Sequence, residues 1–511
     1  MGKAENLSRF VTDFNNEITL MSETGTPADS IFPQFSKELE KAYTLLLNGN
    51  LHQKSLRKSD FKTFERLENQ LIDHIIQKGI YTGYKDAYSR ARYRCNRNAF
   101  LIHLLHIKRK TYETKELLVY SLRTAQKYQF YFPALGICHI LGHDAAMKGQ
   151  KTALRKYTSL SDELIAKIHA NLKSDQLLYS ILVMSHHKTS IPAPIEKQIS
   201  IAYKEIKKLR RKYNHYNLRI NYWRIAIRYF LMNHNPQQRI KIYHDYRKYM
   251  TKKPHLLDRS VTAEFAFYAM DAALDMRDLK IAKMLEKICH KNFDAYSRNW
   301  YVFMELLFIT TVHSGDYEYA ETIFMTVTKS SFFNKLDSNR IELWKLYEAY
   351  LHLLLPEKRE RKKINPLKLI NDLPLFSTDK KGLNFPILIA EFISILLGNY
   401  SDRLINFKPK FTIYVTRYVN RKTHERPWHF SKLILLLYKY DFDVEKCRRM
   451  GEKFYKKLCN FNKTKSQNLE MIEIVPYEHL WRHLTGFLQR RPIWEVPIRA
   501  KRNTRAMLLI K

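Results

Sequence analysis

Two histidines four residues apart, His139 and His143 in the run Cys138-His139-Ile140-Leu141-Gly142-His143-Asp144, are the residues best spaced for metal chemistry. On a helix that spacing puts both imidazoles on one face, where they could grip a metal. Ile140 stands where a zinc protease needs its catalytic glutamate, so a hydrolase built on His139 and His143 lacks its general base, and no third ligand suggests itself. His103 with His106, and His479 with His483, are weaker forms of the same spacing. Packing or surface histidines are the plainer reading, and no metal site is assigned.

Phosphate binding is the second chemistry on offer. Between Lys204 and Arg228, Lys204, Lys207, Lys208, Arg210, Arg211, Lys212, Arg219, Arg224 and Arg228 face one acid, Glu205, with Tyr213, Tyr216, Tyr222 and Trp223 interleaved. Cations neutralise phosphates and aromatic rings stack on bases, which makes Lys204, Lys207, Lys208, Arg210, Arg211, Lys212 and Arg219 the candidate polyanion-binding residues. The opposing reading takes Tyr222, Trp223 and Ile225 as core and the lysines as a wet helix face. Arg90 to Arg97 also alternates arginines with Tyr93, and is expected to be a solvated turn. The whole chain carries a formal charge of +38, a field that attracts RNA, DNA, acidic proteins or anionic membrane surfaces.

Other chemistries lack their motifs. There is no Walker A loop, no Gly-x-Gly-x-x-Gly after a strand and no Gly-x-Ser-x-Gly elbow, so neither an enzyme nor a cofactor is expected. The longest apolar run, Leu383 to Leu397, is broken by Glu391 and too short to span a bilayer, and the N-terminus lacks a secretory pattern. Five scattered cysteines read as reduced packing residues, and the expected location is cytoplasmic.

The elements that must position these residues are helices. In 511 residues there are 13 Gly and 16 Pro, too few turn-makers for a β architecture. From Tyr222 to Ser330 the chain repeats itself. Around Asn235, Asp278 and Asp316 as equivalent turns, the residue thirteen places earlier is Tyr222, Phe265 and Phe303, and the residue seven places later is Ile242, Leu285 and Ile323. The turns are 43 and 38 residues apart, a period of helical solenoids. Ala282 and Ala320 occupy one close-packing position, where the first copy has Arg239 instead, which predicts a looser register near Asn235 or a rotated helix. The expected fold is all-α: an α-solenoid of antiparallel, tetratricopeptide-like helix pairs over 61–355, after an N-terminal segment over 1–60. A charged linker over 356–384 and a C-terminal helical module with a basic tail over 385–511 follow.

Two C-terminal segments, Leu373-Pro374-Leu375-Phe376 running on to Pro386-Ile387, and Glu473-Ile474-Val475-Pro476-Tyr477-Glu478-His479-Leu480-Trp481, resemble segments of a large group of Bacteroidota proteins of similar length. That resemblance implies a helical, tetratricopeptide-like fold in the cytoplasm and carries no catalytic residues across. The functional expectation is a non-catalytic scaffold holding a protein or peptide partner; the alternative is an RNA- or DNA-associated protein using basic helical patches.

Overall fold

A computed structural model describes residues 7–8, 10–12, 14–15, 33–48, 58–78, 86–107, 115–185, 193–330, 332–355, 384–398, 400–460 and 473–490. Ser22 to Pro27 of the N-terminal segment, residues 356–383 of the expected charged linker, including Leu373 to Leu383 of the first resembling segment, and the tail with Arg499, Lys501, Arg502 and Arg505 lie outside them. Among the described residues all regular structure is helical, as the composition predicts. No helix among them is long and apolar enough to cross a membrane.

The chain divides into two compact units, one of residues 1–168 with 253–258 and one of 169–252 with 259–511. The first holds α1 (Lys37–Leu47), α2 (Lys58–Lys78), α3 (Ala87–Ile107), α4 (Lys115–Tyr128), α5 (Tyr131–Met147) and the start of α6 (Lys151–Ser185). Leu39, Tyr43 and Leu46 of α1 bury against Phe64, Leu67 and Leu71 of α2, and α3 to α6 share a core with Ile102, Leu122, Ile137 and Leu164. The Arg90–Arg97 segment is helix within α3, not a turn. Ala91, Cys95, Asn98 and Ile102 recur at helical spacing as a buried stripe, while Arg90, Arg92, Arg94 and Arg97 are exposed around it. Arginines on three sides of a helix hid the one narrow side that packs.

The second unit begins with the rest of α6, followed by α7 (Ala193–Lys212), α8 (Tyr216–Met232), α9 (Pro236–Lys252), α10 (Arg259–Asp275), α11 (Leu279–Asn292), α12 (Arg298–Ser314), α13 (Tyr317–Thr328) and α14 (Ser338–Leu354). It continues with α15 (Asn384–Leu397), α16 (Ser401–Tyr418), α17 (Glu425–Lys439), α18 (Val444–Cys459) and α19 (Tyr477–Arg490).

The three turns picked out by the repeat are built alike. His234, Arg277 and Gly315 each take a left-handed backbone, with φ of 47°, 53° and 81°. The next N–H reaches back to Phe230, Ala273 and Thr311, at 2.8, 2.8 and 3.2 Å, the long bond of a Schellman turn that closes α8, α10 and α12. Asn235, Asp278 and Asp316 then cap the following helix, their Oδ1 accepting from Gln238, Ile281 and Tyr319 at 3.1 Å each. A Cβ added at Gly315 would meet nothing within 4 Å, so Gly315→Ala isolates the backbone term. It is expected to cost about 1 kcal/mol in a denaturant titration. No loss would mean that this turn relaxes freely.

The equivalent rings also share one job, because each packs on the helix just before its own pair. Tyr222 stacks with Tyr203 of α7 at 6.2 Å, Phe265 lies 4.8 Å from Tyr246 of α9, and Phe303 meets His290 of α11 edge-on at 4.9 Å. Arg239 corrects the expected looseness at the first turn. It is 2 % exposed and sits in register with the fully buried Ala282 and Ala320, its guanidinium bonded to Asp271 and Asp275 of α10. A buried ion cluster takes the place of close contact between small side chains.

In the C-terminal part, Trp481 is 4 % exposed, as an anchoring residue should be, and Pro476 immediately precedes α19. α16 was not singled out by the sequence, since charges and Pro409 interrupt it; Leu404, Phe407, Phe411 and Val415 nonetheless form its buried stripe.

Candidate polyanion interface

α7 separates its faces sharply. Ile195, Ile199, Ala202 and Ile206 are buried against Leu177, Leu178 and Ile181 of α6 and Leu218 and Ile225 of α8. At 100° per residue the opposite side carries Lys197, Lys204, Lys208 and Arg211 in one row, with Lys207 beside it, all exposed. From Lys197 to Arg211 the row spans fifteen residues, or about 21 Å of helix. None of the seven candidate residues, Lys204, Lys207, Lys208, Arg210, Arg211, Lys212 and Arg219, forms an ion pair with a described carboxylate. Glu205 and Glu196 lie on the flanks of the row.

The structure divides those seven by role. Arg210 lies over the Tyr222 ring at 4.3 Å and Arg219 over Tyr249 at 4.7 Å, while Lys207 and Lys212 lie 5.3 Å from the Tyr203 and Tyr213 rings. Tyr203 stacks with Tyr229 at 4.2 Å. Tyr222 and Tyr213 are thus engaged with the chain's own rings and cations, and Tyr216 and Trp223 are buried. Burial and the neighbouring Arg210 both pull the Arg219 pKa below its ordinary value. Arg224 is removed from the surface charge by Glu264 of α10, which accepts from its Nε at 3.0 Å and its Nη2 at 2.6 Å.

The row on α7 has counterparts that the linear sequence did not reveal. On α9, Lys241, Lys248 and Lys252 are exposed along one side, and on α11 so are Lys280, Lys283, Lys287 and Lys291. These three are every other helix in the series, for α8 packs on α7 and α9, and α10 on α9 and α11. Together they carry sixteen lysines and arginines against four carboxylates. Of those four, Glu286 is drawn aside to accept from the Tyr319 hydroxyl at 3.0 Å, and Asp245 remains within the α9 row, where its charge acts on Arg219. α10 and α12 hold acids instead: Glu264, Asp271 and Asp275 on α10 and Glu305 on α12 neutralise Arg224, Arg239 and Arg340. Arg224, Arg239 and Arg340 within the packing are paired, and the lysines exposed on α7, α9 and α11 have no ion pair among the described residues. On α13 the pattern stops, its exposed positions being Glu318, Thr322 and Thr326.

The histidine pairs go elsewhere. His139 and His143 are exposed on α5, and the His143 ring meets His106 of α3 edge-on at 5.2 Å. Burial first, then the charges of His143, His139 and His103, lower the His106 pKa. Among the described residues no group of three or more His, Cys, Asp or Glu could hold a metal ion. His479 and His483 flank Tyr317, whose hydroxyl is 3.2 Å from His479 Nδ1; burial pushes His483 down to about 4, so it is neutral packing at physiological pH. Of the cysteines, Cys95, Cys138, Cys289 and Cys447 are buried and free, and Cys459 is exposed.

Comparison with protein-family models, with curated proteins and with solved structures finds no match for this chain.

Proposed function

We propose that the chain is a non-catalytic scaffold, a tetratricopeptide-like solenoid of antiparallel helix pairs, that holds a polyanionic partner on the outer sides of α7, α9 and α11. The observation that carries this reading is the segregation of charge: on these helices the lysine rows have no ion-pair partners among the described residues, while Arg224, Arg239 and Arg340 inside the packing each have a carboxylate. A merely solvated surface would mix its acids and bases, because i,i+4 pairs stabilise helices by about 0.2–0.5 kcal/mol each. Like charges left side by side cost a similar amount, which a bound polyanion would offset. The alike-built turns and rings of three successive pairs support the solenoid; a cytoplasmic setting and kinship with the Bacteroidota group are part of the same proposal. A protein or peptide partner fits this surface only if it is acidic.

Heparin chromatography tests the reading. The wild-type protein is expected to be retained and released only by added salt, and the quadruple variant Lys204→Gln, Lys208→Gln, Lys283→Gln, Lys287→Gln to elute at clearly lower salt. A control losing the same charge at four exposed lysines elsewhere, Lys62, Lys115, Lys151 and Lys173, should elute close to wild type. Equal elution of the two variants would reduce the rows to net charge and overturn the proposal.

A further inference from the structure

We infer that the polyanion is a nucleic acid duplex, gripped through its phosphates and without contact to its bases. The inference rests on the polyanion reading and adds the class of partner. Two observations choose the duplex. The first is extent: rows about 21 Å long on α7 and about 16 Å long on α9 and α11 belong to three separate helices of one packed series, so no single helix carries the charge as one narrow track. A duplex carries one charge per about 1.7 Å of axis, or about 12 along the α7 row alone, and presents them on two strands to a broad surface. A flexible single strand is served by a narrow track of cations with free rings beside it.

The second observation is the state of those rings. Proteins that hold single strands draw about 1–3 kcal/mol per base from stacking on open aromatic faces. Beside the α7 row, Tyr203 lies against Tyr229 and Tyr222, Arg210 covers Tyr222 and Arg219 covers Tyr249. Unstacking these contacts would forfeit cation–π attraction worth about 0.5–1 kcal/mol each. What remains exposed in the rows is mostly lysine, with Arg211 on α7, and lysine is a point charge suited to phosphate and poor at reading base edges. The rows are also rich in lysine where the inner, paired positions are arginine: Arg224, Arg239 and Arg340 make the bonds to carboxylates, and Lys241, Lys248, Lys280, Lys283, Lys287 and Lys291 face solvent.

The test is fluorescence anisotropy on the full-length chain with a duplex of about 20 base pairs, long enough to cover the rows at 3.4 Å per pair. Duplex DNA, duplex RNA, one of the strands alone, poly-L-glutamate and anionic vesicles are compared at the same salt. Either duplex is expected to bind at least about tenfold more tightly than the single strand, with little dependence on sequence, and to weaken about a thousandfold between roughly 50 and 200 mM salt. In the quadruple Lys→Gln variant the slope of log K against log salt should flatten by about 3 to 4 if each lysine meets one phosphate, and the Lys62, Lys115, Lys151, Lys173 control should keep the wild-type slope. Single strand, poly-L-glutamate or vesicles binding as tightly as either duplex would overturn the duplex inference while the polyanion reading stands. Failure to retain any of the five probes, or equal slopes for the two variants, would remove both.

Discussion

Arg426→Met is expected to destabilise the second unit by about 3–5 kcal/mol, because it leaves two buried carboxylates to share one remaining guanidinium. Arg426 is 3 % exposed at the start of α17. Its guanidinium donates to Glu473 at 2.8 and 2.6 Å, to Glu478, and to the Leu458 carbonyl at 2.6 Å. Arg277, in the α10–α11 turn, donates to the same two glutamates, and the His313 ring bonds the Glu473 carbonyl oxygen at 2.7 Å. Burial alone would raise the Glu473 pKa, but the charges of Arg426 and then Arg277 outweigh it and hold it at about 2. Since the folded value lies below the ordinary 4.5, this carboxylate contributes stability that is complete above the ordinary value and lost as pH falls toward 2. Wild-type protein should therefore weaken across that acid window, and Arg426→Met, in which Glu473 loses its main stabilising charge, should weaken less steeply there. Urea midpoints measured from neutral to acid pH decide the matter: a variant within about 0.5 kcal/mol of wild type, or with the same acid slope, would show that the cluster is not what holds α19.

Arg239→Ala is expected to cost a similar amount, about 3–5 kcal/mol, although alanine occupies the equivalent place in the next two pairs. Ala282 and Ala320 are themselves fully buried; at Arg239 alanine leaves Asp271 and Asp275 together without their cation. Burial, then the Asp271 charge, already push the Asp275 carboxyl up to about 7 against the pull of Arg239. A carboxyl raised above its unfolded value binds its proton more tightly when folded, so the stability it adds is gained as pH falls through that value. With the arginine gone the pKa rises further, and Arg239→Ala should recover stability as pH is lowered from about 8 to 5. Arg239→Met with Asp275→Leu exchanges buried ions for apolar volume and should return most of the loss. If the double variant is no more stable than Arg239→Ala in a thermal melt, the ion cluster contributes more than the charge balance assigned to it.

These two arginines mark the limit of what could be read from sequence. The helical class, the turns at Asn235, Asp278 and Asp316 and the buried rings at Phe265 and Phe303 follow from local spacing, and local spacing is what a single chain displays. Arg239 broke the small-residue pattern, and nothing nearby in sequence announced that its partners sit more than thirty residues ahead. The Arg277–Glu478 bond joins positions 201 apart, beyond any periodicity. The candidate site was half legible for a related reason. Density of charge picked out Lys204 to Arg219, but the rows on α9 and α11 are diluted in sequence by Asp245 and Glu286. Only the fold shows that Glu286 is bonded to Tyr319 and that alternate helices share a type of surface. Charge counting also kept the tyrosines as open stacking rings, which their packing partners take away.

The Arg277, Arg426, Glu473, Glu478 cluster bears on the order in which the chain leaves the ribosome. Both cations are synthesised before either anion, so a nascent chain that has packed α10 against α11 and folded α17 holds two guanidiniums awaiting their counter-charges. Completion of the second unit must wait for its last described helix, and a product cut short before Glu473 would be left with mutual repulsion in place of the seal.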